Sequence, residues 1–138
     1  MKCIYKNNPG NIRFSKQTHW KGQIGQKNGF CLFENMAYGI RAMAYLLMIS
    51  YRRAHCYSIA SIINRYAPPK DHNNTESYIN FVSGNMAVRR DFRPMCFDDY
   101  AEMIVHMTHF EQGKAPDFDK EDVIKIMDNF SLFIAKGK

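Results

Sequence analysis

The acidic residue with the most unusual setting in this 138-residue chain is Glu111. Tyr100, Ile104, Met107 and Glu111 follow one another at spacings of 4, 3 and 4, so a carboxylate continues the apolar stripe of an amphipathic helix. Gly113, just beyond, is placed to act as the C′ residue that ends the helix. Desolvation and the negative end of the helix dipole both disfavour the anion there and raise its pKa. A carboxylic acid that keeps its proton near neutral pH can serve as a general acid, the group needed to break a glycosidic bond. The competing reading is a frayed last turn with Glu111 bent out to solvent, at a cost of only a few tenths of a kcal/mol.

Other residue types with chemical potential are less well arranged. His106 and His109 form an HxxH pair without a third ligand on the same face, so no metal site is expected, and nothing points to a cofactor. The four cysteines, Cys3, Cys31, Cys56 and Cys96, are scattered without CxxC or ligand spacing and are expected to be reduced, buried small hydrophobes. The formal charge is +6, and residues 1–33 carry six Lys/Arg and no acid. Such a lobe suits a polyanionic partner, either nucleic acid or an anionic cell wall. None of the standard nucleic-acid motifs is present, so nucleic acid is not the expected partner.

The elements that must position Glu111 follow from periodicity and caps. Residues 7–35, rich in Gly, Asn and Lys, predict a small antiparallel β lobe with turns at Asn8-Pro-Gly and Lys27-Asn-Gly29. Helical spacing runs from Ala37 to about Ala54, with Ile40, Met43, Leu47 and Tyr51 on one face. A second helix follows Ser58 and stops before Pro68-Pro69. Asn73 with Glu76, Asp99 with Glu102 and Asp119 with Asp122 are spaced as caps for three more helices. The expectation is an α+β, mainly α, single domain over residues 1–138, with a β lobe at about 7–35 and some five helices over about 36–138. The N-terminus reaches Asn-Asn-Pro-Gly before any apolar signal region forms, and no apolar run approaches the roughly 20 residues of a membrane span. The expected site of synthesis is therefore the cytoplasm, with phage-type release or a secretion machine carrying the protein to its place of action.

In order along the chain stand Asn8-Pro-Gly-Asn-Ile-Arg13, Trp20-Lys-Gly22, Phe30-Cys-Leu-Phe-Glu-Asn-Met-Ala-Tyr-Gly-Ile-Arg-Ala42, Tyr66-Ala-Pro-Pro69 and Asn74-Thr-Glu-Ser-Tyr78. This series resembles the lysozyme superfamily, most closely bacterial cell-wall glucosaminidases and flagellar muramidases. In that superfamily a helix ending in Glu-Ser-Gly supplies the catalytic acid and precedes the Asn-x-x-Gly turn. Here only seven residues, MKCIYKN, lie upstream of that turn, and the matching helix end, Phe110-Glu-Gln-Gly113, lies near the C-terminus. The resemblance therefore implies a circularly permuted lysozyme-like domain, which is feasible when the parent termini are neighbours at the surface. It extends to small phage and prophage proteins with an Asn-Asn-Pro-Gly-Asn-Ile-Arg start, some of them virion structural proteins.

The resemblance implies that Glu111 is the general acid acting on peptidoglycan glycan strands. A second carboxylate would complete a hydrolase pair. Glu34, where the β lobe enters the first helix, is the leading candidate, although the helix dipole alone explains an acid there. Asp71 and Glu76 are alternatives. With none of them, Glu111 would act alone as acid and then base, as in lytic transglycosylases. Tyr66 matches the superfamily's cleft tyrosine, and Asn74, Thr75 and Trp20 are candidate sugar-binding residues, with turn, cap and anchoring duties as the simpler explanations. The implied activity is that of a muramidase, glucosaminidase or lytic transglycosylase. The reading from another class is a non-catalytic cell-wall-binding or virion structural protein of the same fold.

Overall fold

Residues 1–137 are described by a computed structural model. Its β lobe turns on Asn28 and Gly29, whose φ values of 54° and 83° are the two left-handed positions a type I′ hairpin requires. This turn joins β1 (Gln23–Lys27) to β2 (Phe30–Phe33) antiparallel, with Lys27 opposite Phe30. The preceding segment lies along the free edge of β2, where Cys31 donates its amide to the Ile12 carbonyl and Phe14 donates to Gly29. Asn8 locks that edge from inside. Fully buried, it donates from Nδ2 to the carbonyls of Ile12 and Cys31 and accepts from the Ile12 amide.

The helical part opens with α1 (Met36–Tyr45), capped by the Asn35 side chain, which accepts from the Tyr38 amide. A π turn (Leu46–Ser50) and α2 (Tyr51–Arg53) continue the same run. The π turn inserts a residue into the helical register. Leu46, its first residue, and Tyr51, just after it, both line one cleft. α3 (Ile59–Tyr66) starts in a reciprocal Ser58–Ser61 capping box and ends before the prolines. α4 (Thr75–Met86), α5 (Phe97–Gln112) and α6 (Lys120–Asn129) follow, the last opened by the expected Asp119–Asp122 box.

Two caps differ from expectation. At α4 the N-cap is Asn74, which accepts from the Ser77 amide, while Asn73 lies one residue outside the helix. Adjacent asparagines make the two registers alike in sequence, and Glu76 is drawn instead into a bidentate contact with Arg90 at 2.7 and 3.1 Å. At α5 the N-cap is Cys96, and Asp99 sits inside the first turn, accepting from the Met95 amide. Cys96 is exposed and Cys56 half-buried, so only Cys3 and Cys31 are the interior thiols expected.

The protein is thus α+β and mainly α, with α5 at its centre. α5 packs on α1, α4 and α6 and buries Tyr100, Ala101, Met103, Ile104, Met107 and Thr108 completely. Glycine is needed at Gly39 of α1, because a Cβ there would land on the Asn7 carbonyl oxygen. That close approach brings the N-terminal turn onto the helical core. Among the described residues no helix is long and apolar enough to cross a membrane.

Candidate active site

The end of α5 is fastened to the N-terminal turn by side chains. Gln112 donates from Nε2 to the Pro9 carbonyl at 2.8 Å and accepts the Ile4 amide at 2.9 Å. Asn11, left-handed at φ 49°, donates from Nδ2 to both the Glu111 carbonyl (3.1 Å) and the Glu111 Oε1 (3.0 Å). The N-terminal amine pairs with Asp117 at 2.6 Å a few residues further on. Residues some hundred positions apart in sequence thus form one continuous corner of the molecule.

Beside this corner opens a cleft of about 350 Å³. Glu111 and Asn11 lie on one wall, Tyr66 and Asn73 on another, and Arg13 and Trp20 on the β lobe. Glu111 is the only acid lining it among the described residues. Burial pushes the Glu111 carboxyl above the usual glutamate range, opposed by the Asn11 amide, the Tyr78 hydroxyl and the charge of Arg13. The Tyr78 ring is buried at 2% exposure and its hydroxyl has no partner in hydrogen-bond geometry. That hydroxyl is nonetheless close enough to Glu111 for each to act on the other's proton affinity, and its own pKa is pushed well up by burial and by Glu111. An unspent buried donor next to a half-buried carboxylate can swing onto the anion whenever the anion forms.

Tyr66 borders the cleft with its ring, while its hydroxyl donates to the Gly10 carbonyl. Gly10 permits this contact, since a Cβ there would strike the hydroxyl. Burial, then the nearby Glu111, holds the Tyr66 phenol well above its ordinary pKa, so it stays a neutral donor. Tyr51 packs edge-on to Tyr66 at 6.4 Å, and burial pushes its phenol up to about 12. Trp20 also lines the cleft, edge-on to Tyr45 at 5.8 Å.

Several candidate residues lie elsewhere. Glu34 is exposed outside the cleft, because the β2 end turns away to hand its amide to the Gly22 carbonyl before α1 begins. Asp71 is on an exposed single 3-10 turn, and Glu76 is paired with Arg90. Asn74 spends its side chain on the α4 cap. Thr75 is buried and donates to the Ala67 carbonyl at 2.6 Å, tying α4 to the end of α3. Sequence reasoning singled out none of Tyr78, Asn73 and Asn11 as a functional residue. The doubled asparagine at 73–74 was the one available signal, since a helix takes a single N-cap; the Asn73 amide instead donates to the Pro68 carbonyl at 3.0 Å. Among the described residues no cluster of His, Cys, Asp or Glu is arranged to hold a metal ion.

What the fold and site define is a small, mainly helical domain whose cleft holds one acid raised in pKa by burial. No family model matches the chain. Its sequence is 32% identical over 117 residues to Protein P5 of Pseudoalteromonas phage PM2, a match covering 82% of this chain and 72% of that protein. The chain belongs to the family of that phage protein.

Proposed function

We propose that this domain is a circularly permuted lysozyme-like enzyme that cleaves peptidoglycan glycan strands with Glu111 as its only acid–base group. The observation that carries the reading is the lone, half-buried Glu111, its pKa raised by burial, in a cleft of about 350 Å³ lined by aromatic and amide side chains. The permutation is supported by the corner itself. The Asn-Pro-Gly-Asn turn docks against the end of α5, the arrangement that a helix preceding that turn in sequence would produce.

A pair of carboxylates about 5 to 9.5 Å apart characterises ordinary hydrolases. With Glu34, Asp71 and Glu76 outside the cleft, the chemistry that fits is that of a lytic transglycosylase. Glu111 gives its proton to the glycosidic oxygen, and the leaving oxygen takes the electron pair of the broken C1–O bond. The resulting carboxylate, steadied by Asn11 and Tyr78, then takes the proton of the sugar's own C6 hydroxyl as that oxygen bonds to C1. Glu111 ends protonated, and the product carries a 1,6-anhydro end. Asn73 lines the cleft with its Nδ2 held by the Pro68 carbonyl, which leaves its side-chain oxygen to accept from a sugar substituent.

The second reading, a wall-binding or virion structural protein, is favoured by one observation: both hydrogen bonds from Asn11 to Glu111 also brace the turn. Digestion of purified peptidoglycan separates the two, using wild type and Glu111→Gln with mass analysis of the fragments. The expected result is anhydro-ended fragments from wild type, reduced at least about a hundredfold in the variant, as loss of general acid catalysis requires. Fragments undiminished in Glu111→Gln would refute the acid assignment, and no fragments from wild type would leave the binding reading.

A further inference from the structure

A second cavity, of about 580 Å³, opens beside the cleft. The two share a wall made by Thr18, Trp20 and Leu46. Its lining includes His19, Lys21 and Arg41 and no acidic residue. Arg41 reaches it from α1, with its guanidinium 5.6 Å from the ring centres of both Tyr45 and Phe130. The Arg41 Nε is buried and has no hydrogen-bond acceptor, and among the described residues neither Arg41 nor Lys21 has an ion-pair partner. Lys21 closes the same end, with Nζ 5.7 Å from the Phe130 ring.

A half-buried guanidinium without a counter-ion has lost water without gaining an anion, which is costly unless a ligand supplies one. The planar donor set of arginine matches a carboxylate in two-point contact, and the two flanking rings hold that plane in place. Trp20, Tyr45 and Leu46 leave apolar wall beside the charge, which suits a short peptide better than a bare inorganic anion. A glycan strand lying in the cleft would carry its peptide stems sideways, past Trp20, into this cavity.

Resting on the proposed glycan-strand reading, we infer that the Arg41–Lys21 cavity binds a carboxylate of the peptide stem, so that the domain prefers stem-bearing over stem-free strands. The test measures binding of three probes: strands with stems, strands stripped of stems by an amidase, and free stem peptide. The proteins are full-length Glu111→Gln, which does not turn the strands over, and the same chain with Arg41→Gln or Lys21→Gln added. The expected result is about tenfold tighter binding of stem-bearing strands, falling below about threefold with Arg41→Gln while stem-free affinity stays within about twofold. Lys21 is exposed, so Lys21→Gln keeps the fold and should weaken the preference in the same direction. A preference unchanged by either substitution, or absent in their parent, overturns the assignment. Binding of the free peptide without either strand would sink the glycan reading and leave the pocket assignment standing. Binding of none of the three would sink both.

Discussion

The Asn11 amide is the point at which the charge state of Glu111 and the stability of the fold meet, and Asn11→Gly isolates it. Asn11 holds φ 49°, so glycine keeps the left-handed backbone without strain while removing the side chain. Lost are the two donations to Glu111 and the contact accepted from Gln112 at 3.2 Å. A hydrogen bond to an ionised partner contributes about 1.5–3 kcal/mol, and one to a neutral partner about 1 kcal/mol. The substitution should therefore cost about 0.5–2 kcal/mol more at a pH where Glu111 is ionised than where it is protonated. The direction of the pH dependence follows from burial. Because folding raises the pKa of Glu111, the folded state holds the proton longer. Stability from this group is thus full below the unfolded value of about 4.3 and is lost as pH rises through the folded pKa. Removing Asn11, which opposes the rise, moves the folded pKa further up and deepens that loss. Urea denaturation across a pH series measures the stability, and the Glu111 side-chain carbonyl followed by NMR reports the titration directly. In a Glu111→Gln background, the cost of Asn11→Gly should no longer vary with pH. A pH-independent cost in the wild-type background, or a titration midpoint that falls in Asn11→Gly, would refute the reasoning.

Two further substitutions test other parts of the structure. Glu34→Gln should leave cleavage and strand binding within about twofold of wild type in the peptidoglycan digestion, because an exposed group outside the cleft contributes little to either. A loss comparable to that of Glu111→Gln would return Glu34 to the site. Gly39→Ala, which in a typical helix interior would stabilise by up to about 1 kcal/mol, should here destabilise by about 1–3 kcal/mol or more, since the new Cβ meets the Asn7 carbonyl. A raised denaturation midpoint would show that the turn does not seat on α1 as closely as described.

What the sequence disclosed was local. The 4, 3, 4 stripe placed Glu111 on the inward face of α5, the Asn-Gly pair placed the hairpin, and Asp119–Asp122 placed the start of α6. Each is decided by neighbours within a few residues. The failures were of two kinds. Asn73 and Asn74 differ by a one-residue register that only the packing of Thr75 against Ala67 decides. Glu34 lies correctly at the β-to-α junction, but the direction in which that junction faces is set by Gly22, Asn7 and Gly39 together, through contacts that no spacing rule encodes. Tyr78 is a core aromatic by every local criterion. Its hydroxyl becomes relevant because α4 packs on α5 and brings it towards a residue 33 positions away. The π turn is similarly invisible, since Leu46–Ser50 is a good α-helical sequence in isolation.

The surroundings of Glu111 pull in two directions, and the opposition fits chemistry by a lone acid. Burial favours the protonated form, whereas Asn11, Tyr78 and Arg13 favour the anion. A carboxyl that only had to donate would be served by burial alone, and one that only had to stabilise a cation would be served by donors alone, as the two carboxylates of a hydrolase divide those roles. A single group that must release a proton and then recover one within a turnover needs both forms within reach at the same pH. The largest influence, desolvation, is therefore balanced by donors that respond to charge. Asn11 is fixed by the turn and acts in both states, while the unpartnered Tyr78 hydroxyl is available when the anion appears. On this account Tyr78→Phe should impair the second half of the reaction, where the anion must last long enough to accept the C6 hydroxyl proton, and should show up as a lower yield of anhydro ends rather than as a failure to bind the strand.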